Sequence, residues 1–424
     1  MASDEITEPH SRRRVVITGM GVIAANGCTL PNFWHSIRNG ISAARPMTRF
    51  DPGNAPTLFA AQLGEEFDPS DYMDAKTARR LDYSHQYSVA AARLAHEDSR
   101  IDFSKMDANR VGVVEGTSAS SNETASKADH GYLKSGYKGV GPFALLNGYS
   151  GAGSGEIARE LNIRGHSITL SSSSASGNDA IGYALSMIRD EEVDVMIAGG
   201  AEAPLVPHIW GALCLSRVLS RRNDEPQTAM RPFDKSRDGI LLGEGAGYLV
   251  MEDLSHALGR GARIYAEVLG HGRSCEAYHP VAPHPDGIGL CSAMRKALRQ
   301  SRISADQIDY VNAHGTATDA NDPVETKAIK QIFGTHAHRL AVSSTKPVSG
   351  HLLGAAGALE TVVCALALHH QEIPMTLNYH ERDPACDLDY VPDRSRPYPI
   401  RAAMNLSSGF GGKNSCLIMQ RTAS

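Results

Sequence analysis

Short apolar runs rich in β-branched residues alternate along this chain with longer amphipathic ones. Arg14–Ile23 reads as a strand that breaks on glycines. Phe33–Ile37 has the spacing of an amphipathic helix, and Lys76–Asp98 predicts a second with an alanine-rich face at Ala90, Ala91, Ala92 and Ala95. Arg110–Gly116 is a buried strand by composition. Ser118–Tyr149 is polar, glycine-rich and irregular, the kind of insertion that often carries function or meets a partner. His166–Leu170 then leads as a strand into Ser171-Ser172-Ser173-Ser174-Ala175-Ser176-Gly177, and Asn178–Leu185 leads out as a helix. Val193–Glu202 is a further strand. A charged loop (Arg231–Lys235, Arg237–Gly239) runs into apolar Leu241–Met251.

The second half repeats the scheme. Ala262–Leu269 predicts a strand, Gly287–Ser301 a helix, and Ile308–Ala313 a strand ending at His314-Gly315-Thr316. Pro323–Phe333 is helical. Leu340–Thr345 is a strand that ends in Lys346–His351, and the small-residue helix Leu352–His369 follows. This recurrence predicts an α/β layered fold with largely parallel central strands. The serine run and Ser343-Ser344-Thr345 occupy matching places, which points to internal duplication. The predicted halves are residues 13–262 and 263–424, behind a disordered leader over 1–12.

Composition narrows the classes. The net charge of -5 offers no electrostatic case for nucleic acid or an anionic membrane. Seven cysteines without a CxxC pair argue against a zinc site or a disulfide framework and fit a reducing cytoplasm. Met1–Arg14 has no apolar core of a secretory signal, and apolar stretches such as Leu359–Leu368 are too short to span a bilayer. A cytoplasmic protein without catalytic metal is expected. Gly19-Met20-Gly21 lacks the third glycine and the later acidic residue of a dinucleotide site, so a buried strand is the better reading.

Three strand ends carry candidate chemistry. Ser171–Gly177 sits at a helix N-terminus, where a nucleophile or a serine-rich cap would both fit. His314 and His351 fit structural roles or donors aimed into one cavity, where neutral imidazoles stabilise a developing oxyanion. Lys346 is expected to pair with Asp322 or Glu325 in a structural ion pair, and the charged loop is expected to be a structural ion-pair network.

Together these motifs resemble the β-ketoacyl synthases of the thiolase-like superfamily, over about residues 13–420. They are Val15–Gly21, Arg231-Pro232-Phe233-Asp234 with Arg237-Asp238-Gly239, His314–Thr318, Lys346–Gly357 and Gly409–Gly412. The resemblance implies a duplicated α-β-α-β-α layered fold and an enzyme that works on acyl chains held by carrier proteins. It places the family's nucleophilic cysteine at Ser174, its histidines at His314 and His351, and its lysine at Lys346. It makes Phe410 the acyl-pocket gate, the Ser174 and Phe410 amides an oxyanion hole, and Thr316 and Thr318 contacts to the phosphopantetheine arm.

No cysteine lies between Cys28 and Cys214, so no small shift of alignment restores the thiol. Acyl loading needs a thiolate, and a serine hydroxyl is a far weaker acid. Decarboxylation of a malonyl thioester needs no nucleophile. The chain therefore resembles the serine-containing branch found in polyketide β-branching cassettes, which converts malonyl-carrier protein to acetyl-carrier protein. The other readings are a condensing synthase whose cysteine has been replaced, a non-catalytic subunit like a chain-length factor, and an acyltransferase using Ser174. The resemblance further implies a homodimer, an acidic acyl carrier protein docking on arginines such as Arg79, Arg217, Arg221 and Arg222, and a hydroxymethylglutaryl-synthase-like partner. No cofactor is implied beyond the arm that the carrier delivers.

Overall fold

The computed structural model describes residues 12–422. The leader expected over residues 1–12 lies, but for its last residue, outside the described residues. In chain order the first half contributes β1 (Val15–Ala24), α1 (Tyr83–Ser99), β2 (Val111–Gly116), α2 (Ala152–Glu160), β3 (Ser167–Leu170), α3 (Ser176–Arg189), β4 (Val195–Glu202) and β5 (Gly245–Asp253). The second half contributes β6 (Ala266–Cys275), α4 (Ile288–Ser301), β7 (Tyr310–Asn312), α5 (Asn321–Phe333), β8 (Ala341–Ser343), α6 (Ala356–His370), β9 (Ala402–Gly409) and β10 (Lys413–Gln420).

These ten strands hydrogen-bond in the order β8-β7-β9-β10-β6-β1-β5-β4-β2-β3. Read outward from the β1–β6 seam, each half has the same order with strand numbers offset by five. The duplication expected from the two serine-rich junctions is therefore present as topology. The junction after β3 and the junction after β8 are equivalent.

Three cores separate the layers. Ile181, Leu185, Leu359 and Val363 of α3 and α6 pack between the two halves of the sheet, against Met196, Leu249, Val268 and Leu417. Ala91 and Ala95 of α1 cover the outer face of the first half, over Val195, Ile197 and Val250. Met294 and Ala297 of α4 and Ile329 of α5 cover the outer face of the second half, over Val311, Leu406 and Ile418. Successive strand residues point to opposite faces. Met196 and Ala198 thus face the central helices while Val195 and Ile197 face outward. With both faces covered, such strands read as unbroken apolar runs.

The strand directions differ from the expectation. Only the outer pairs β4–β2, β2–β3, β9–β7 and β7–β8 are parallel; the pairs through the middle, including β1–β6, are antiparallel. The β9–β10 connection is a tight turn over 410–412, with Gly411 and Gly412 at positive φ, and such a short link reverses the chain.

Other elements are also corrected. The expected helix Lys76–Asp98 is two helices, Ala75–Arg80 and α1. Leu81 and Asp82 are extended, and Asp82 caps α1 by accepting from the Ser84 N–H. The stretch taken as irregular contains a helix over Asn122–Ser135 with no buried residue, so it lacks the amphipathic signature that periodicity detects. The strand placed at Ala262–Leu269 starts at Ala266 and runs to Cys275. Gly19 and Gly21 serve packing: a Cβ there would stand 2.3 Å from the Ala95 carbonyl and 2.0 Å from the Ala91 carbonyl of α1. The apolar run of α6 is longer than expected. Leu353–His370 has the length and hydropathy of a span, and 83% of it is buried inside the protein.

Candidate active site

The serine run is built by its own hydroxyls. Ser176 Oγ donates to the Ser173 carbonyl (2.6 Å) and accepts from the Ser172 N–H (2.8 Å). Ser172 Oγ donates to Asp179 (2.6 Å), which also contacts His271. Ser173 takes φ +58, the left-handed conformation that closes the turn. Ser172 and Ser176 are thus structural. Ser174 is the member whose hydroxyl reaches across to the second half: its Oγ lies 3.3 Å from His351 Nε2. Gly409 backs the turn, since a Cβ there would come within 2.9 Å of the Ser174 nitrogen and of Ser173 Cβ.

His351 follows β8 and the short helix Lys346–Ser349. Its backbone is clamped by Leu241–Gly243: its N–H donates to the Leu241 carbonyl (2.7 Å), and its carbonyl accepts from Gly243 (3.0 Å). His314 follows β7. Its N–H donates to Glu325 Oε1 (2.6 Å), and the Gly315 N–H donates to Oε2 (2.8 Å). The two imidazoles meet edge-to-face with centroids 5.4 Å apart. Ser174, His314 and His351 are 8%, 5% and 4% exposed, so the sequence-predicted trio converges in one enclosed place.

Burial drives both histidines well below the ordinary histidine pKa, and the Lys346 charge pushes the same way. Both rings are neutral at pH 7. Nδ1 of each is buried with no hydrogen-bond partner among the described residues.

The ion-pair expectation is corrected. Lys346 is fully buried, and its Nζ lies 2.5 Å from Glu360 Oε1 on α6. Asp322 and Glu325 pair with no lysine or arginine among the described residues, because backbone donors occupy them. Asp322 accepts from the Phe233 N–H (2.7 Å), and Glu325 holds the His314 loop. Burial raises Asp322 to about 6 and Glu325 to about 7. Burial also raises Glu360 to about 7 against the pull of Lys346. Glu360 went unnoticed in the sequence. The available signal is that it is the one acid in the apolar α6, and a buried charge needs a partner.

The remaining predicted residues make no hydrogen bond to the trio of Ser174, His314 and His351 among the described residues. Thr316 and Thr318 share a hydroxyl contact at 3.0 Å. Phe410 sits on the β9–β10 turn and is 45% exposed. The charged loop is structural: Arg237 bonds Asp383 (2.6 Å) and the Thr318 carbonyl (3.3 Å), and Asp234 accepts from the His380 and Glu381 N–H groups. The ring of Phe233 stacks on Tyr390 with centroids 4.0 Å apart. Arg217, Arg221 and Arg79 are exposed, whereas Arg222 is half-buried and bonded to the Ser236 carbonyl. Arg79 lines a cavity of about 670 Å³ with Arg49, Tyr83 and Lys127, whose walls include none of Ser174, His314 and His351.

Residues 12–257 match the Beta-ketoacyl synthase, N-terminal domain, and residues 265–380 match the Beta-ketoacyl synthase, C-terminal domain. The chain belongs to the β-ketoacyl synthase family. Its relatives agree along their whole length. The 3-oxoacyl-[acyl-carrier-protein] synthase 2 of Coxiella burnetii is 42% identical over 410 residues, covering 97% of this chain and 99% of that protein. That of Vibrio cholerae is 40% identical over 413 residues, covering 97% and 100%. Among solved structures, the ishigamide ketosynthase/chain length factor superposes with a TM-score of 0.92 at 37% identity, covering 97% of this chain and 100% of the other. A type II PKS acyl-carrier protein in complex with its ketosynthase contains a similar chain (TM-score 0.87, 32% identity, 97% and 100% covered). The β-ketoacyl synthase chain thus has the thiolase-like fold, and its catalytic family is that of ketosynthase enzymes.

Proposed function

We propose that this β-ketoacyl synthase family member decarboxylates malonyl-carrier protein to acetyl-carrier protein. The observation that carries the reading is a hydroxyl, Ser174, in place of a thiol, in a site that keeps two neutral histidines and a buried lysine. In the substrate complex the thioester oxygen sits between His314 and His351. As the carboxylate leaves as CO2, the electron pair moves onto that oxygen as an enolate. Two imidazole N–H groups aimed at it oppose the cost of the charge, and one such donor is worth about 3 kcal/mol. The enclosed surroundings strengthen those bonds by excluding water. Phe410 gates the pocket, the Ser174 and Phe410 amides face the carbonyl, and Thr316 and Thr318 hold the phosphopantetheine arm.

The carrier protein docks on exposed arginines, with Arg217 and Arg221 better placed than Arg222, which is engaged in the fold. Homodimerisation is supported by the unpaired outer edge of β3 and by exposed apolar side chains of the 118–149 segment, such as Leu133, Tyr137 and Leu145. A hydroxymethylglutaryl-synthase-like enzyme of a polyketide β-branching cassette then consumes the acetyl group.

Incubation with malonyl-carrier protein, followed by intact-mass measurement of the carrier, tests the reading. Loss of CO2 from the carrier is expected; a carrier mass that stays at malonyl overturns it. A second reading, condensation through an acyl-Ser174 ester, is favoured by the condensing-synthase names of the relatives. It requires an acyl group on Ser174, detectable by peptide mass. A non-catalytic subunit would have no need of the histidine pair.

A further inference from the structure

We propose that Ser174 is the proton donor to carbon, the group that converts the enolate into the acetyl product. The proposal rests on the decarboxylase reading. A condensing enzyme consumes its carbanion by forming a carbon–carbon bond. A decarboxylase must instead deliver one proton to the α-carbon, so it needs a donor that a condensing site does not.

The tautomers assign that donor. His351 Nδ1 is buried with no acceptor among the described residues. A buried N–H without a partner is costlier than a bare lone pair, so the ring proton resides on Nε2. Nε2–H then donates to Ser174 Oγ, 3.3 Å away, and the serine oxygen is the acceptor in that bond. This arrangement denies Ser174 a general base, which accounts for a weak nucleophile. It also leaves the hydroxyl's own hydrogen with no acceptor among the described residues. With a thioester oxygen about 2.9 Å from His351 Nε2, the α-carbon two bonds further on comes within reach of the Ser174 hydroxyl.

No neighbour competes. The imidazole N–H groups of His314 and His351 are committed to the thioester oxygen, not to the α-carbon. Lys346 Nζ is held by Glu360, and the Thr316 hydroxyl is shared with Thr318.

The step balances as follows. The bond between the carboxylate carbon and the α-carbon breaks, and CO2 leaves. The electron pair it releases, held in the enolate, takes the Ser174 Oγ hydrogen as a new C–H bond, and the thioester C=O is restored. The serine alkoxide takes a proton from water, which supplies the one proton consumed overall.

Wild-type protein and the Ser174→Ala and Ser174→Thr variants are given malonyl-carrier protein in an equal mixture of H2O and D2O. The deuterium content of the acetyl group is read by mass spectrometry, corrected for exchange in unreacted malonyl. Ser174→Ala is expected to shift the H-to-D ratio of the product by about twofold or more, as the donor changes from hydroxyl to water, while Ser174→Thr keeps the wild-type ratio. Acetyl formation by Ser174→Ala is expected to fall less than about tenfold, because protonation follows loss of CO2. An identical ratio in wild type and Ser174→Ala overturns the proposal, and so does a Ser174→Ala variant that forms no acetyl group. Absence of acetyl from the wild type refutes the decarboxylase reading itself.

Discussion

The two equivalent junctions of the duplicated fold have diverged in opposite directions. After β3, residues 171–177 make a neutral turn held by serine hydroxyls, and one of these, Ser174, is turned toward the other half. After β8, residues 344–351 bury Lys346, whose partner Glu360 comes from α6, and deliver an imidazole. One backbone position is thus used once as a hydrogen-bonded turn and once as a seat for charge. The electrostatic groups lie almost wholly on the second side, so the proposed decarboxylation draws on that side rather than on the serine turn.

The largest test of that asymmetry removes the charge partner. Glu360→Gln leaves Lys346 buried and unpaired, and chemical denaturation should show a loss of about 3–5 kcal/mol. A near-neutral result would mean that the second junction does not depend on the pair. Replacing either His314 or His351 by alanine should cut acetyl formation by about 10²–10³ in turnover. A much smaller loss for one of them would place the oxyanion on the other alone. Gly409→Ala perturbs the first junction from behind, because its Cβ meets the Ser174 amide at 2.9 Å. Overpacking of this kind costs about 1–3 kcal/mol, and a matching fall in activity is expected with little change in the second junction.

The smallest effect is a predicted constancy. His314 and His351 have their pKa values depressed by burial and by Lys346, so their neutral forms persist to lower pH than in a free histidine. The two imidazoles should therefore add no break to turnover from about pH 8 down through 6.5, and an inflection near 7 would come from Glu325, which holds the His314 loop, or from Glu360, which pairs with Lys346. A break centred on 6.5 in the pH–rate profile would show histidines exposed to solvent.

Much of this site was legible because its parts are local. Ser174, His314 and His351 each lie within a few residues of the end of an apolar strand run, so a strand-to-loop junction marks them without any tertiary knowledge. The duplication was legible for the same reason: two strand–serine–helix patterns recur. What escaped depends on contacts distant in sequence or absent from periodicity. Strand direction is set by pairing such as β1 with β5, more than 200 residues apart, which apolar runs do not encode. Sequence alone points Lys346 at Asp322 or Glu325 on α5, but those carboxylates are filled by backbone N–H groups of 233, 314 and 315. The helix over Asn122–Ser135 has no buried residue and half-buries only polar and small ones, so its sequence looks like loop. The capping of α1 by Asp82 hid a helix break inside a continuous pattern.

The most direct test of the central claim offers the protein both substrates of a condensing enzyme. An acyl-carrier protein and malonyl-carrier protein are supplied together, and the carrier products and Ser174 peptide are weighed. Acetyl-carrier protein, unmodified Ser174 and no β-ketoacyl product are predicted. An acyl group on Ser174 with β-ketoacyl-carrier protein accumulating would contradict the account.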